Sequence, residues 1–338
     1  MRFATPSLWA RGGNNRTNQQ PHRNGPLTAF SHVRIALVHN SRAGRRVYTA
    51  GDLVRLLRQN DNDVEIFARD RTGLRDAIAA RPDVLVVSGG DGTVARAAIA
   101  LRASAIPMYI LPTGTANNIA RSVGAVGAIP PLVRRLATHT RQTRLDVGRI
   151  SSHEREAFFV EAVGAGFIGA ALDEERRPLL RRWRRFRRWA VKPMSRRNRM
   201  YRGMARVVRH MPARRVRVRA DGEDLSGNYV AVEVMNIDAI GPRIVLAPDA
   251  NPGDTLLDLV LVREHDREAL AAYIHADGWK DVDPPVATRR VRRVELDWPA
   301  QDAHLDDEPW PADAQSWRPG QVSIDVGGAA QLLVPAAR

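Results

Sequence analysis

The sequence has no cysteine among its 338 residues, which excludes disulfide bonds, thiol nucleophiles and thiolate metal sites. This absence is compatible with a reducing cytoplasm. No apolar stretch approaches the roughly 20 residues that a membrane-spanning helix needs, and residues 1–30 lack the apolar segment of a signal peptide. Because residues 1–30 are rich in Asn, Gln, Gly, Pro and Arg, we expect a disordered basic tail there. A zinc-type histidine pattern and a G-x-S-x-G nucleophile elbow are also missing.

Acidic residues are in the minority. The 52 lysines and arginines outnumber 37 aspartates and glutamates, which gives a formal net charge of +15 at pH 7. A positive field favours anionic partners, such as anionic lipid surfaces, phosphorylated substrates or nucleic acid. The length allows two domains, and a hydrophobic content of 44% supports a sizeable core.

One glycine-rich turn organises the first part of the chain. The apolar run from Val84 to Val87 predicts a buried strand, and a helical pattern starts at Thr93. Between them lie Ser88, Gly89, Gly90, Asp91 and Gly92. The glycines leave backbone N–H groups uncovered at a helix N-terminus, where a phosphate is readily bound. Since Asp91 would repel a bare phosphate, we expect a cation with the ligand, most simply magnesium on a nucleotide. A tight turn capped by Asp91 is the simpler alternative.

A second turn of this kind follows about 25 residues later, a spacing typical of a β-α-β unit. The run from Pro107 to Leu111 ends in Pro112, Thr113, Gly114, Thr115, Ala116, Asn117 and Asn118. An earlier strand, Val33 to Val38, leads to His39, Asn40, Ser41 and Gly44. Strand and helix patterns alternate from His32 to about Leu136, which predicts a doubly wound parallel sheet. The turns at Gly89–Gly92 and Pro112–Asn118 should therefore both lie at the carboxyl edge of this sheet.

The pattern changes after Asp146. Valines alternate with arginines from Arg215 to Arg219, and further strand-like runs extend over Tyr229–Val234, Leu256–Val262 and Val291–Leu296. Such alternation indicates a half-exposed antiparallel sheet. We therefore predict an α/β domain over 31–146, completed by a final strand within 325–338, and a β-rich domain over 147–324 with a helical insertion at 176–210.

A dinucleotide-type pattern, G-x-G-x-x-G, occurs at Gly164, Gly166 and Gly169. A lone match is weak, because no acidic residue follows about 20 positions on; Arg184 to Arg188 fall there instead. We interpret these glycines as structural.

The turns at Gly89–Thr93 and Pro112–Asn118 resemble those of the catalytic domain of the bacterial soluble diacylglycerol kinase family of lipid kinases, which are related to eukaryotic diacylglycerol and sphingosine kinases. NAD kinases and phosphofructokinases share the first motif, whereas the second differs from that of NAD kinases. The resemblance implies a nucleotide-binding α/β domain, a C-terminal β-sandwich and an active site in the cleft between them. It also implies ATP and Mg²⁺ as cofactors.

The same resemblance assigns roles in nucleotide and magnesium binding. The residues concerned are Asn40, Ser41, Gly44, Gly89, Gly90, Asp91, Gly92, Thr93, Gly114, Thr115 and Asn117. The chain departs from the family pattern at several positions. Ser41 replaces a proline, Glu161 stands where the family has asparagine, and Ile168 stands where aspartate or a small residue is common.

The segment from His304 to Pro309 resembles the family's Asp-Gly-Glu motif. By this resemblance Glu308 is the general base, Asp306 supports the base or the metal, and Asp91 completes the catalytic set. Asp307 takes the glycine position, which aspartate tolerates because it reaches the left-handed region more readily than most residues. An acidic surface turn is the alternative interpretation.

A loop with Asn251, Asp254 and Leu256 resembles one that binds a structural magnesium ion in bacterial members. The ligands would be the Asp254 carboxylate and the backbone carbonyls of the other two residues. Hard oxygen donors on a turn suit that ion. Thr255 replaces the family's glycine, and a plain β-turn explains the same residues.

The densest cationic segment, Pro178 to Ala190, has the pattern of a basic amphipathic helix. Its apolar stripe consists of Leu179, Trp183, Phe186 and Ala190, with arginines on the other faces. Packing on its own domain, docking on a membrane surface and binding nucleic acid are all compatible with this composition. For a lipid kinase, docking on an anionic membrane is favoured and nucleic acid is not.

The sequence therefore predicts an ATP-dependent lipid kinase at the cytoplasmic membrane face, converting diacylglycerol to phosphatidic acid. The alternatives are a kinase of a sphingoid base or of NAD and, from another class, a catalytically weak basic protein that binds membranes or nucleic acid. A homodimer remains open.

Overall fold

The computed structural model describes residues 32–44, 47–59, 61–153, 155–176, 196–276, 282–298, 302–310 and 320–336. The predicted tail over 1–30 and the predicted basic helix from Pro178 to Ala190 lie outside the described residues.

The first half of the chain alternates strands and helices. Its elements are β1 (Arg34–His39), α1 (Ala50–Arg58), β2 (Asp63–Phe67), α2 (Arg71–Ala79), β3 (Val84–Gly89), α3 (Asp91–Leu101), β4 (Met108–Pro112), α4 (Asn118–Ser122), α5 (Ile129–Thr138), β5 (Thr140–Ser151) and β6 (Glu156–Phe159).

The second half is mainly β. Its elements are β7 (Ala162–Ala165), α6 (Phe167–Arg176), α7 (Arg196–His210), β8 (Arg214–Val216), β9 (Val218–Ala220), β10 (Glu223–Asp224), β11 (Gly227–Met235), β12 (Ala239–Ile240), β13 (Ile244–Val245), β14 (Leu257–Arg263), α8 (Arg267–His275), β15 (Ala287–Val291), β16 (Arg293–Trp298), β17 (Ala303–Leu305), β18 (Glu308–Pro309) and β19 (Gly320–Pro335).

Strands β4, β3, β1 and β2 lie side by side in that order, and all pairs are parallel. Every residue of β3 is buried, as expected of a parallel strand covered on both faces. Alternate side chains of β1 and β3 enter cores on opposite faces of the sheet. One core includes Leu53 of α1 and Leu136 of α5, and the other includes Leu74 of α2 and Leu101 of α3. This confirms the predicted doubly wound α/β architecture.

The last strand, β19, joins the two halves of the chain. Its C-terminal part pairs in parallel with β4 through Leu332 and Leu333, and its N-terminal part pairs antiparallel with β16. Strand β5 pairs antiparallel with β19 along most of its length, from Ser323 to Pro335. The first sheet therefore continues without a break from the parallel strands into strands that come from the second half.

A second, antiparallel sheet has the order β15-β14-β11-β7-β17-β18, with β8 also on β11. It packs face to face with the antiparallel part of the first sheet, and the shared core includes Phe159, Val163, Leu259, Val294 and Ile324. This arrangement is the predicted β-sandwich.

Two predicted strands are divided between the sheets. The run from Arg215 to Arg219 changes sheet at Arg217, because β8 joins the second sheet and β9 the first. The run from Val291 to Leu296 changes sheet at Arg292 in the same way. Strands at a sandwich corner can pass from one sheet to the other, and alternation of side chains does not reveal which partner each part has.

None of the described helices is long and apolar enough to span a membrane.

A test of the sandwich core is the substitution Gly148→Ala. Gly148 of β5 lies opposite Phe159 of β6, and a Cβ at residue 148 would lie 2.1 Å from Cζ of the buried Phe159 ring. Because this overpacks a closed core, we expect the free energy of unfolding to fall by about 1–3 kcal/mol, measured by urea denaturation. Gly203→Ala is the matched control. It sits in α7 with nothing within 4 Å, so the change should leave stability equal or raise it by up to ~1 kcal/mol. Equal stabilities for the two variants would contradict this description of the core.

Candidate active site

Three turns meet at the carboxyl edge of the parallel strands. Asn40, after β1, donates its backbone N–H to the carbonyl of Ser88 at 2.8 Å and its side-chain amide to Thr93 Oγ1 at 3.0 Å. After β4, the N–H groups of Thr113 and Gly114 both donate to the carbonyl of Gly89, at 3.0 and 3.2 Å. The turns after β1, β3 and β4 are therefore hydrogen-bonded to one another. For the turns after β3 and β4, the strand spacing predicted this shared edge.

Glycine is required where these turns touch. A Cβ on Gly114 would lie 2.3 Å from the Cα of Gly90, and one on Gly44 would lie 2.2 Å from the carbonyl oxygen of Thr113. Asn117 holds the third turn closed in the left-handed conformation, at φ 53°, and its side chain exchanges hydrogen bonds with Gly114. Thr115 is exposed at the tip of that turn, and Ser41 is exposed on the first. The backbones approach so closely at Gly44 and Gly114 that a side chain on either glycine would push the turns apart.

Asp91 is the first residue of α3, and it faces α4. Its Oδ1 accepts the N–H of Ile119 at 3.0 Å. Burial raises the pKa of Asp91, backbone amides including that of Ile119 counteract this, and the charge of Asp307 adds to the rise. Asp91 is thus not a simple cap of its own helix, because Gly90 is the N-cap and the carboxylate reaches a second helix.

The predicted catalytic turn lies between β17 and β18, which pair as a hairpin with His304 opposite Pro309 and Leu305 opposite Glu308. Glu308 and Asp307 are exposed, whereas Asp306 is buried. The point at which a Cβ on Gly92 would sit lies 3.8 Å from both carboxylate oxygens of Asp307. The turn from the second half of the chain therefore lies against the N-terminus of α3, and Asp307, the neighbour of the predicted base, lies beside the glycine-rich turn.

Asp306 supports the turn that carries Glu308 through backbone hydrogen bonds. Its Oδ1 accepts the backbone N–H groups of Glu161, Val160 and Ala162 at 2.7, 3.0 and 3.3 Å. Burial raises its pKa to about 6, although these amides oppose the rise. Asp306 also has the left-handed conformation, φ 52°, that the sequence analysis assigned to Asp307. Asp306 thus fastens the turn to the β6–β7 connection, and Asp307 carries its extra charge without a left-handed backbone.

Glu161 is part of the site, although the sequence pattern identified it only as a departure from the family. It is fully buried, and burial raises its pKa well above the usual range, with further contributions from the charges of Asp91, Asp306 and Asp307 and an opposing hydrogen bond from Asn118. Four carboxyl groups from three parts of the chain thus influence one another. Among the described residues, however, no group of three or more His, Asp or Glu side chains is arranged to hold a metal ion.

The predicted magnesium loop is held by arginines. Asp254 Oδ1 accepts the N–H of Leu256 at 3.0 Å, and Oδ2 forms an ion pair with Arg290 on β15. The carbonyl of Asn251 accepts the N–H of Gly253 at 2.8 Å. Because the charge of Asp254 is already matched by a guanidinium, these residues do not fit a magnesium ion well.

The same loop is attached to the first sheet through Asp146 of β5. Asp146 accepts the N–H of Thr255 at 2.7 Å and the Nη2 of Arg144 at 2.6 Å. Thr255 takes the left-handed conformation, φ 67°, that is easier for the family's glycine.

The three glycines of the G-x-G-x-x-G pattern each make space for protein atoms. A Cβ on Gly164 would lie 1.9 Å from a carboxylate oxygen of Glu233, one on Gly166 would lie 2.5 Å from the Cβ of Ala231, and one on Gly169 would lie 2.2 Å from the carbonyl oxygen of Asp302. The pattern is therefore structural in this chain, as interpreted from the sequence.

Sequence comparisons agree with this geometry. Residues 34–150 match the family model "Diacylglycerol kinase catalytic domain", and residues 189–326 match "YegS C-terminal NAD kinase beta sandwich-like domain". A protein of Mycobacterium tuberculosis named "Diacylglycerol kinase" is 27% identical over 276 residues, which cover 78% of this chain and 84% of that protein. A Klebsiella pneumoniae protein named "Probable lipid kinase YegS-like" is 29% identical over 123 residues, 34% of this chain and 40% of that protein.

Solved structures share the fold. A crystal structure described as a diacylglycerol kinase from Bacillus anthracis has a TM-score of 0.60 and 16% identity, covering 88% of this chain and 96% of its own. Another crystal structure from the same organism has a TM-score of 0.64 and 18% identity, with 91% and 98% covered. Together, the two domain matches, the fold and the arrangement of the three turns identify the chain as a lipid kinase that belongs to the bacterial diacylglycerol kinase family.

Proposed function

We propose that this lipid kinase transfers the γ-phosphoryl group of ATP, bound with magnesium, to the hydroxyl of diacylglycerol and so forms phosphatidic acid. The observation that carries the proposal is the meeting of two turns. The segment with Asp307 and Glu308 lies against the N-terminus of α3, beside Gly92. A phosphate held by the amides of that helix would lie next to the carboxylates of the turn.

The nucleotide would bind across the three turns at the sheet edge. Gly90 and Gly92 are partly exposed at the start of α3, and their backbone N–H groups would face phosphate oxygens because glycine has no side chain to cover them. Asn40 holds the first of these turns to Thr93. No group of three or more His, Asp or Glu side chains in the described part of the chain could hold a metal ion by itself, so a magnesium ion would have to come with the nucleotide and would lie beside Asp91 and Asp307. That ion would neutralise charge on the phosphates and on the acidic cluster when bound.

Glu308 would act on the acceptor. The lipid hydroxyl oxygen forms a bond to the γ-phosphorus while the bond from that phosphorus to the β-γ bridging oxygen breaks, and ADP leaves. The hydroxyl proton passes to the Glu308 carboxylate, which is exposed at the cleft. Asp306 holds the turn in place, and Asp91 ties the start of α3 to α4.

Diacylglycerol is the favoured acceptor because the M. tuberculosis relative, matched over most of both chains, is named for it. A sphingoid base or another lipid alcohol would use the same chemistry. NAD is less favoured, since the turn after β4 differs from the NAD kinase pattern.

Substitution of Glu308 tests whether the chain is a kinase or only a binding protein with the same fold. We expect Glu308→Ala to lower kcat for diacylglycerol phosphorylation by about 10²–10⁴-fold, because proton transfer from the hydroxyl loses its acceptor. The assay is transfer of labelled γ-phosphate from ATP and magnesium to mixed micelles of diacylglycerol, a sphingoid base or NAD. Glu65→Ala, an exposed carboxylate of β2, is the control and should keep full activity. Phosphorylation that survives in Glu308→Ala would refute the assigned base, and label on another acceptor would change the substrate.

Divalent cations should not stabilise the nucleotide-free protein through the loop at 251–256. Because Arg290 already pairs with Asp254, we expect the thermal midpoint to be the same in EDTA and in millimolar magnesium. Arg290→Ala should lower stability by about 1 kcal/mol or less, since the guanidinium is partly exposed, and should make the midpoint depend on magnesium. Arg289→Ala, which removes the neighbouring ion pair with Glu223, is the control and should not introduce that dependence. A magnesium-dependent midpoint in the unaltered protein would restore the magnesium site.

The acceptor resides in a bilayer, so we propose that the kinase docks peripherally on anionic membranes at the cytoplasmic face. Arg202 and Arg206 are exposed on α7, next in the chain to the predicted basic helix.

Removing cations from that helix tests the docking proposal. The triple change Arg184→Gln, Arg185→Gln and Arg188→Gln should weaken binding to phosphatidylglycerol vesicles roughly 100-fold, at about 1 kcal/mol per cation, in a sedimentation assay at low salt. The double change Arg55→Gln and Arg75→Gln, on exposed positions of α1 and α2, should bind as the unaltered protein does. Equal binding by the triple variant would favour a helix that packs on its own domain.

A further inference from the structure

We propose that Glu233 and His304 form a buried positioning pair that aims the turn bearing Asp307 and Glu308 at the nucleotide site. The inference rests on the proposed role of Glu308. Neither residue of the pair touches the predicted substrate positions, and both side chains are fully buried.

Three adjacent strands bring the pair together. In the second sheet, Gly164 of β7 lies opposite Glu233 of β11 on one side and opposite His304 of β17 on the other. The two side chains can meet across the middle strand only because Gly164 has none there; a Cβ would lie 1.9 Å from Glu233 Oε2. Glycine in the middle of a strand, which is otherwise unfavourable, thus has a specific purpose at this position.

The pair reaches the turn through one further hydrogen bond. His304 Nε2 lies 2.6 Å from Glu233 Oε2, and Nδ1 lies 2.9 Å from the backbone carbonyl oxygen of Asp306. Because a carbonyl oxygen can only accept, Nδ1 must carry a proton. Burial alone would lower the pKa of His304, but the charge and hydrogen bond of Glu233 outweigh it and raise that pKa. The Nδ1–H donor is present whether Nε2 or Glu233 holds the shared proton.

Asp306 is therefore held at two points. His304 donates to its carbonyl, and the backbone amides of Val160 and Glu161 donate to its carboxylate. Its backbone has the left-handed conformation, which is unfavourable for a residue other than glycine and persists where surrounding contacts determine it. The next two residues are Asp307 and Glu308. The direction of Glu308 thus depends on how the Asp306 peptide is oriented, and His304 fixes that orientation.

Removal of a positioning residue lowers kcat in a protein that still folds, whereas removal of a purely structural residue lowers stability. Removing one partner of a buried charged pair leaves the other uncompensated, whereas replacing both with apolar residues of similar shape can leave stability nearly unchanged. The double variant Glu233→Met and His304→Phe removes the pair and its bond to Asp306 without leaving a lone charge.

The test compares stability and steady-state kinetics of that double variant with the unaltered enzyme. We expect a thermal midpoint close to that of the unaltered enzyme, a KM for ATP within about twofold, and kcat for lipid phosphorylation lowered about 10–100-fold, as for a reacting group misplaced by about 1 Å. The single variant Glu233→Gln should keep most of the kcat of the unaltered enzyme, because the neutral histidine still donates through Nδ1. His210→Phe, at the exposed end of α7, is the control and should keep full activity. A folded double variant with unchanged kcat would overturn the proposal.

A second measurement needs no substitution. Side-chain ¹⁵N spectra of the native protein, assigned through the backbone, should show a protonated Nδ1 on His304 at neutral pH. An unprotonated Nδ1 would overturn the proposal whether or not the double variant folds. Failure of the proposed function would look different, because the unaltered enzyme would then phosphorylate no lipid or would do so independently of Glu308.

Discussion

The Asp306 carboxylate is the contact on which the site depends most. By accepting backbone N–H groups from Val160, Glu161 and Ala162, it attaches the β17–β18 turn of the second sheet to the connection between β6 and β7. Strand β6 belongs to the first sheet, as do β1, β3 and β4, which lead into the three turns proposed to bind the nucleotide; β7 belongs to the second sheet. Together with the pairing of β17 with β7 and the hydrogen bond from His304, this buried carboxylate holds the turn that carries Glu308 against the N-terminus of α3. Burial raises the pKa of Asp306 to about 6, even though several backbone N–H groups donate to its carboxylate and favour the charged form.

The charges of the site contrast with those of the chain. The protein has a net charge of +15, yet Asp91, Glu161, Asp306 and Asp307 lie within electrostatic reach of one another. Burial and the neighbouring negative charges raise the pKa of Asp91 and that of Glu161. At the loop with Asp254, by contrast, the chain supplies the cation itself as Arg290. Asp254 thus pairs with a guanidinium, whereas Glu161 responds to burial with a raised pKa.

Much of the fold could be predicted from the sequence, because its signals are local. The apolar run of β3 followed by glycines, and the similar run of β4, indicated parallel strands whose turns share an edge. The hydrogen bonds from Thr113 and Gly114 to Gly89 show that arrangement. The strand changes at Arg217 and Arg292 could not be predicted, since alternation gives the exposed face of a strand but not its partner. The left-handed residue was misplaced by one position for a related reason: aspartate tolerates that conformation at both places, and the bonds to β6–β7 select Asp306.

The sequence by itself determined the elements, their order and the composition of the glycine turns, because these depend on side-chain periodicity and on residues that lack a Cβ. It also supplied the motif from which Glu308 was identified. Only the tertiary structure decided that Asp306 fastens the turn and that Asp307 and Glu308 are exposed. It also decided that Glu161 belongs to the site and that Glu233 and His304 meet across Gly164. These facts depend on burial and on contacts between residues about 70 to 145 positions apart, and nothing in a local pattern encodes them.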